Sequence, residues 1–127
     1  MKEITFLSLV EVIEIHSDQI ERYGGSSSIR DINLLSSAVA MPYAAFKDHF
    51  LHIDLFEMAA AYAFHISQNH PFLDGNKRTA LASALVFLEL NGISIDDPEE
   101  KLYEAMISMA SGKLDKIGLA AIFRQLQ

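Results

Sequence analysis

The segment from residue 70 to residue 81, HPFLDGNKRTAL, carries the densest set of chemically active side chains in this sequence. Histidine exchanges protons readily near neutral pH, so His70 is a candidate general base. Asp74 offers a hard oxygen ligand for Mg²⁺ or an acceptor that orients a hydroxyl group. Lys77 and Arg78 add two positive charges. A base, a metal ligand and a pair of cations at this spacing indicate phosphoryl or nucleotidyl transfer.

Two apolar segments flank this motif and are expected to position it. Residues 55–66 (LFEMAAAYAFHI) and 80–90 (ALASALVFLEL) are apolar on nearly every side, which is typical of buried helices, and Leu85 is expected to lie in the core. Pro71 lacks an N–H group and disfavours helical geometry in the residue before it, so the first helix should end near His70. The motif is therefore the junction between two core helices.

The same junction predicts an anion site. Gly75 permits a tight turn, and Asp74 or Asn76 is expected to cap the second helix. The free N–H groups and the dipole at the start of that helix favour a bound anion. Lys77 and Arg78 would each cost up to ~1 kcal/mol at this end of a helix, and a bound phosphate would remove that conflict.

The motif resembles the signature of the Fic/Doc family, H-x-F-x-(D/E)-G-N-G-R-x-x-R. The matching residues are His70, Phe72, Asp74, Gly75, Asn76 and Arg78. The sequence departs from the nucleotidyl-transferring branch at Lys77, where that branch has glycine, and at Leu81, where it has arginine. This variant is similar to the Doc (death-on-curing) branch, the toxins of toxin–antitoxin pairs. Further similarity in residues 22–25, 31–35, 54–57 and 87–92 extends the resemblance over most of the chain.

The resemblance implies a toxin of a type II toxin–antitoxin system. Such a protein transfers a phosphate from ATP, with Mg²⁺, to a Thr or Ser hydroxyl of a translation protein such as elongation factor Tu, until a cognate antitoxin neutralises it. His70 would deprotonate the hydroxyl, and Asp74 would hold Mg²⁺ or orient the nucleophile. The nucleotide phosphates would be bound by Gly75, Asn76, Lys77 and Arg78. The antitoxin is expected to dock beside the motif and beside residues 43–53, which form a flap over the active site in the resembled family.

Three other functions remain open from the residues. The first is Fic-type transfer of AMP by the same side chains. The second is a catalytically silent module that keeps the loop as an anion or antitoxin site. The third is a metal hydrolase using His65, His70 and Asp74, which would leave Lys77 and Arg78 unexplained.

Composition sets the broad class. A chain of 127 residues with 50% hydrophobic and 21% charged residues is expected to fold as one domain, residues 1–127. The net charge of −7 disfavours direct nucleic-acid binding, which requires a basic face. No run reaches the roughly 18 apolar residues of a membrane helix, and residues 1–12 lack the pattern of a signal peptide. The absence of cysteine fits the expected location in the reducing cytoplasm.

Local signals along the chain predict an all-α bundle of about six helices. A capping box at Ser8 starts the first helix, and Asp31 and Asp54 are predicted to cap the next two. The 97–100 segment (DPEE) predicts a helix start with proline in its first turn, and the last helix is expected over residues 116–126. Residues 43–53 are expected to be loop or extended. Phe72 is predicted to anchor the motif in the core, and surface or flap positions are expected for His16, His49 and His52.

Overall fold

Helices dominate the computed structural model, which describes residues 3–46 and 49–127. A short 3-10 turn (Met41–Tyr43) follows α2, and β1 (Ala45–Phe46) pairs antiparallel with β2 (His49–Phe50). The six α-helices of the described residues are α1 (Leu9–Tyr23), α2 (Ile32–Ala40), α3 (Leu55–Asn69), α4 (Asn76–Leu90), α5 (Lys101–Ala110) and α6 (Lys116–Leu126). The predicted all-α class is confirmed. Within the described ranges, none of these helices has the length and apolarity needed to cross a membrane.

The centre of the bundle is α3, which packs against α2, α4, α5 and α6, while α1 packs on α4. Small side chains on both central helices let their backbones approach closely, and this makes the packing dense. The fully buried alanines of this pair include Ala59, Ala60, Ala63, Ala80 and Ala84. The two central helices predicted from the apolar segments are therefore confirmed.

Side-chain caps fix the starts of several helices as the sequence predicts. Ser8 forms both bonds of a capping box with Glu11 at the start of α1. Asp31 accepts hydrogen bonds from the first turn of α2, and Asp54 accepts one from Glu57 N–H in α3. Each cap satisfies N–H groups that have no partner inside their own helix.

The start of α5 differs from the prediction. The helix begins at Lys101, and the proline of the preceding segment lies outside it. The Asp97 carboxylate accepts hydrogen bonds from the N–H groups of Lys101 and Leu102 at 2.8 and 2.9 Å. Asp97 therefore does bind free N–H groups of this helix, but it reaches them across an intervening turn.

The β1–β2 hairpin lies at the end of the bundle opposite the junction between α3 and α4. The Phe50 ring packs on Phe6, which also stacks on Phe87 near the end of α4. Each 15-residue central helix is about 22 Å long, so the hairpin lies far from the junction. The expectation that a flap covers the motif is wrong for the described part of residues 43–53, and Lys47 and Asp48 lie outside the described residues.

The burial of α4 is uneven, which corrects the prediction for Leu85. Leu85 is only partly buried, whereas Phe87 and Leu88 are fully buried. Leu85 lines a cavity of about 420 Å³ between α1, α4 and α5, so the neighbouring helices leave this face of α4 incompletely covered. The core face of the helix is instead the one that carries Ala84, Phe87 and Leu88.

We predict that Leu88→Ala lowers the free energy of unfolding by about 2–5 kcal/mol, because a buried leucine loses its contacts and leaves a cavity. Leu85→Ala should cost clearly less, and Leu90→Ala, at a side chain that is 48% exposed, should cost least. Urea denaturation of the three variants measures the order. Equal costs for Leu88→Ala and Leu90→Ala would contradict this assignment of the core.

Candidate active site

The loop between α3 and α4 changes direction through two left-handed residues. His70 ends α3 with φ 52° and ψ 52°, an uncommon conformation for a residue with a side chain. Pro71 follows and cannot continue the helix, so the predicted end of α3 is confirmed. Gly75, with φ 77°, precedes the first residue of α4, where the absence of a side chain makes this conformation accessible.

Phe72 anchors the loop in the core, as predicted. Its side chain is fully buried, and its ring stacks on His16 with the centroids 3.7 Å apart and the planes 4° apart. The neighbouring Pro71 carbonyl accepts hydrogen bonds from the N–H groups of Arg30 and Asp31 at 2.7 and 3.0 Å. The loop is therefore attached both to α1 and to the segment that precedes α2.

His16 supports the loop from below, and the sequence prediction placed it wrongly. It was expected at the surface or in the flap, but its side chain is 1% exposed. Its Nε2 atom lies 2.8 Å from the Asp74 carbonyl oxygen, which can only accept, so Nε2 carries the hydrogen. The available signal was spacing, because Val12, His16 and Ile20 lie four residues apart on one face of α1.

Asn76 joins the two sides of the loop instead of capping α4. Its Oδ1 accepts from Phe72 N–H at 3.0 Å, and its Nδ2 donates to the Phe72 carbonyl at 2.9 Å. The side chain is 4% exposed. The predicted cap is wrong for Asn76, because the backbone of Phe72 uses both ends of the amide.

The same amide fixes the orientation of His70. Asn76 Nδ2 donates to His70 Nδ1 at 3.1 Å, and the bonds to Phe72 prevent the amide from turning over. A neutral His70 ring in this arrangement therefore carries its hydrogen on Nε2 and has its lone pair on Nδ1. Arg30 donates to the carbonyls of His70 and Asn69 at 2.7 and 3.0 Å, which holds the backbone that carries the ring.

Asp74 faces the segment after α1 and does not cap α4 either. Its Oδ2 accepts from Ser26 N–H at 2.8 Å, since Gly25, where an added Cβ would lie 3.1 Å from the Cβ of Asp74, lets that backbone come close. Within the described residues Oδ1 accepts no hydrogen bond. A single available carboxylate oxygen suits Mg²⁺, which is commonly bound by one or two carboxylates together with substrate phosphates.

The N-terminus of α4 has the features of the anion site that the sequence predicts. No side chain caps this helix, so its first N–H groups and the positive end of its dipole face the loop. The exposed side chains of Lys77 and Arg78 add two cations, and the Arg78 guanidinium lies 4.5 Å above the Tyr23 ring. One cavity of about 330 Å³ is lined by all the predicted site residues, and Leu73 and Tyr103 complete its wall. The predicted residues in this lining are His70, Asp74, Gly75, Asn76, Lys77 and Arg78.

His65 lies outside this site, which removes the metal-hydrolase alternative. Its Nε2 atom is 3.1 Å from the Lys116 ammonium of α6, and burial together with that positive charge lowers the pKa of His65 to about 4. His52, expected at the surface or in the flap, is buried beside the same ammonium at 3.4 Å. Across residues 3–46 and 49–127, no three His, Asp or Glu side chains are grouped so that they could hold a metal ion.

A larger cavity of about 780 Å³ lies at the other end of the central helices. It is lined by β2, the start of α3 and residues 89–92, and none of the motif residues contributes to it. Size alone would favour this cavity as a site. The smaller cavity is the better candidate because it holds the histidine, the carboxylate, the cations and the open helix end together.

Comparison with known proteins identifies relatives of this chain. The description of the matching family model is "Fic/DOC family", and it covers residues 6–88, from the segment before α1 to near the end of α4. Protein kinase doc of Escherichia phage P1 is 34% identical over 120 residues, which is 94% of each chain. Toxin Doc of Mycolicibacterium smegmatis is 36% identical over 101 residues, which is 78% of each chain. The resemblance carried by the loop is thereby confirmed, and this chain belongs to the Fic/DOC family.

Proposed function

We propose that this protein is the toxin of a type II toxin–antitoxin pair and that it transfers a phosphate from ATP to a Thr or Ser hydroxyl of a translation protein, such as elongation factor Tu. The observation that carries the proposal is the single cavity in which His70 and Asp74 face the open N-terminus of α4 beside two cations. The names of the two relatives, a protein kinase and a toxin, support it. The reaction belongs to the cytoplasm, where both ATP and translation factors are found.

The donor would bind with its phosphates on the first turn of α4. The N–H groups of Asn76, Lys77 and Arg78 and the two side-chain cations offset the charge of the triphosphate, and Gly75 supplies the left-handed turn that precedes this helix end. Mg²⁺, when bound to the free oxygen of Asp74 and to the phosphates, would neutralise further charge during transfer. Here Asn76 acts through its backbone, because its side-chain amide is bonded to Phe72 and His70.

His70 would act as the general base through Nδ1. For this the exposed His70 ring would turn so that Nδ1 leaves the Asn76 N–H and accepts the proton of the target hydroxyl. The hydroxyl oxygen then forms a bond to the γ-phosphorus, the bond from that phosphorus to the β–γ bridging oxygen breaks, and ADP leaves. The bonds from Arg30 to the backbone keep the ring near the γ-phosphate throughout.

Two departures from the Fic signature favour phosphate transfer over AMP transfer. Lys77 places a Cβ and a long stem where glycine would let the backbone close around the α- and β-phosphates. Leu81 replaces an arginine that would add a phosphate contact. Both changes favour a pose with the γ-phosphate near His70. Transfer of AMP by the same residues is the second candidate, and a silent module that binds an anion without turnover is the third.

A cognate antitoxin is the partner that this function requires. The sequence prediction placed it beside both the motif and the flap, but the described hairpin residues lie at the opposite end of the central helices. We therefore propose that the antitoxin binds at the end of the bundle that carries the loop, where it would block the cavity lined by His70 and Lys77.

His70→Ala should abolish growth arrest when the protein is expressed without antitoxin. Loss of a general base lowers rates by about 10²- to 10⁴-fold, and the exposed His70 side chain contributes little packing. His49→Ala is the matched control, because His49 is an exposed histidine on β2, away from the cavity. Growth curves and circular dichroism of both variants give the readout. Full toxicity of a folded His70→Ala protein would rule out His70 as the base.

Labelled ATP distinguishes the two transfer reactions. Incubation of the protein with Mg²⁺ and a bacterial lysate should move label from γ-labelled ATP, and not from α-labelled ATP, onto a protein band. His70→Ala should remove that label and serves as the control for endogenous kinases. Label arriving from the α-position would instead select AMP transfer, and label from neither position would favour the silent module.

A further inference from the structure

A lysine of α6 lies between two histidines, outside the cavity of the motif. The Lys116 ammonium is 3.1 Å from Nε2 of His65 in α3 and 3.4 Å from Nε2 of His52, which lies between β2 and α3. It also lies 5.5 Å from the centre of the Phe64 ring, a distance at which an aromatic face attracts a cation. Lys116 therefore links α6 both to α3 and to the segment that follows the hairpin.

The chemistry of these three groups fixes the protonation of both rings. An ammonium group can only donate hydrogen bonds, so Nε2 of each histidine accepts one through its lone pair. Both imidazoles are therefore neutral and carry their hydrogen on Nδ1. The Nδ1 atom of His52 is buried and has no hydrogen-bond partner among the described residues. The contact with Lys116 thus has to offset the cost of an unsatisfied buried donor.

The surroundings of the cluster oppose protonation of either ring. Burial is the largest effect, and it lowers the pKa of both histidines. The positive charge of Lys116 lowers both pKa values further, and the ring of His52 acts on His65 in the same direction. A half-buried ring beside a fixed cation therefore remains neutral well below the pH at which a free histidine is protonated.

A few neighbouring groups act in the opposite direction, and only on His52. Glu57 of α3 and the Pro42 carbonyl of the 3-10 turn raise its pKa, although less than burial and Lys116 lower it. The Glu57 carboxylate also faces Arg124 of α6 at 3.9 Å, which shares its charge. On the same helix, the Asp115 carboxylate accepts a hydrogen bond from an N–H of the first turn. The net effect of these elements keeps the two rings neutral.

We infer that Lys116, His52 and His65 form a proton-sensitive latch, which fastens α6 and the segment after the hairpin to α3 while both rings are neutral and releases them when either ring is protonated. A proton on Nε2 turns an acceptor into a donor and places a second positive charge 3.1 or 3.4 Å from the ammonium, so the contact becomes repulsive. His52 lines the cavity of about 780 Å³ and another of about 270 Å³, so its release would open the wall between them.

The latch makes the stability of the protein depend on pH in a defined direction. A histidine in the unfolded chain has its ordinary pKa near 6.5, whereas burial and Lys116 lower the pKa of His65 in the folded protein to about 4. Between these two values the unfolded chain binds more protons than the folded protein. The contribution of the latch is therefore fully present above about pH 6.5 and is lost as the pH falls towards 4.

Long-range ¹H–¹⁵N NMR spectra of the histidine rings in the full chain test the latch. At pH 7 both rings should be neutral with hydrogen on Nδ1. Lys116→Met keeps the apolar stem and removes the charge, so both rings should take up a proton at a higher pH. Lys113→Met is the matched control, because Lys113 is an exposed lysine in the segment before α6, and it should leave both titrations unchanged.

Urea denaturation at two pH values measures the release. His65→Gln keeps an acceptor for the ammonium but cannot be protonated in this range. Between pH 7 and pH 5 the folding equilibrium constant of the original protein should fall roughly 10-fold more than that of His65→Gln. Equal falls would overturn the latch, as would a hydrogen on Nε2 of either ring at pH 7, or identical ring titrations in Lys116→Met and Lys113→Met.

Discussion

The stacking of Phe72 on His16 is the contact on which the rest of the site depends. It buries the middle of the loop against α1, while His70 and Asp74 on either side of it are exposed. His70 at one end can then meet a substrate, while Asn76 at the other end starts α4. His16 also holds the Asp74 carbonyl, so one buried side chain positions both the ring beneath the loop and the turn into the helix.

The polar groups of the loop are satisfied by the loop itself and by the segment between α1 and α2. The Asn76 side chain forms hydrogen bonds with Phe72 and His70, and the Ser26 N–H donates to the Asp74 carboxylate. Arg30 donates to the carbonyls at the end of α3. What stays open is the N-terminus of α4 with its two cations. On a chain with a net charge of −7, this helix end and its two cations form a small positively charged region that attracts phosphates, and not a general basic surface. That contrast fits a nucleotide ligand better than a nucleic acid.

The sequence predicted the parts of this structure that depend on local chemistry. Pro71 marks the end of α3, Ser8 and Asp54 cap their helices, and the apolar segments become the central pair. The prediction failed where a side chain could bond either the start of its own helix or a more distant backbone group, because only the tertiary structure determines which bond forms. Asp74 and Asn76 have the chemistry of helix caps, yet Ser26 and Phe72 offer them closer backbone groups. His16 and His52 look like surface residues in isolation, and only the packing of the loop and of α6 buries them.

Backbone amide NMR with Mg·ATP tests the central claim most directly, that the donor phosphates bind at the start of α4. The resonances of Asn76, Lys77 and Arg78 should move most on titration, together with the ring of His70, while those of residues 89–92 around the larger cavity stay unchanged. Shifts concentrated in residues 89–92, with the first turn of α4 unaffected, would contradict the account and move the donor site to the opposite end of the bundle.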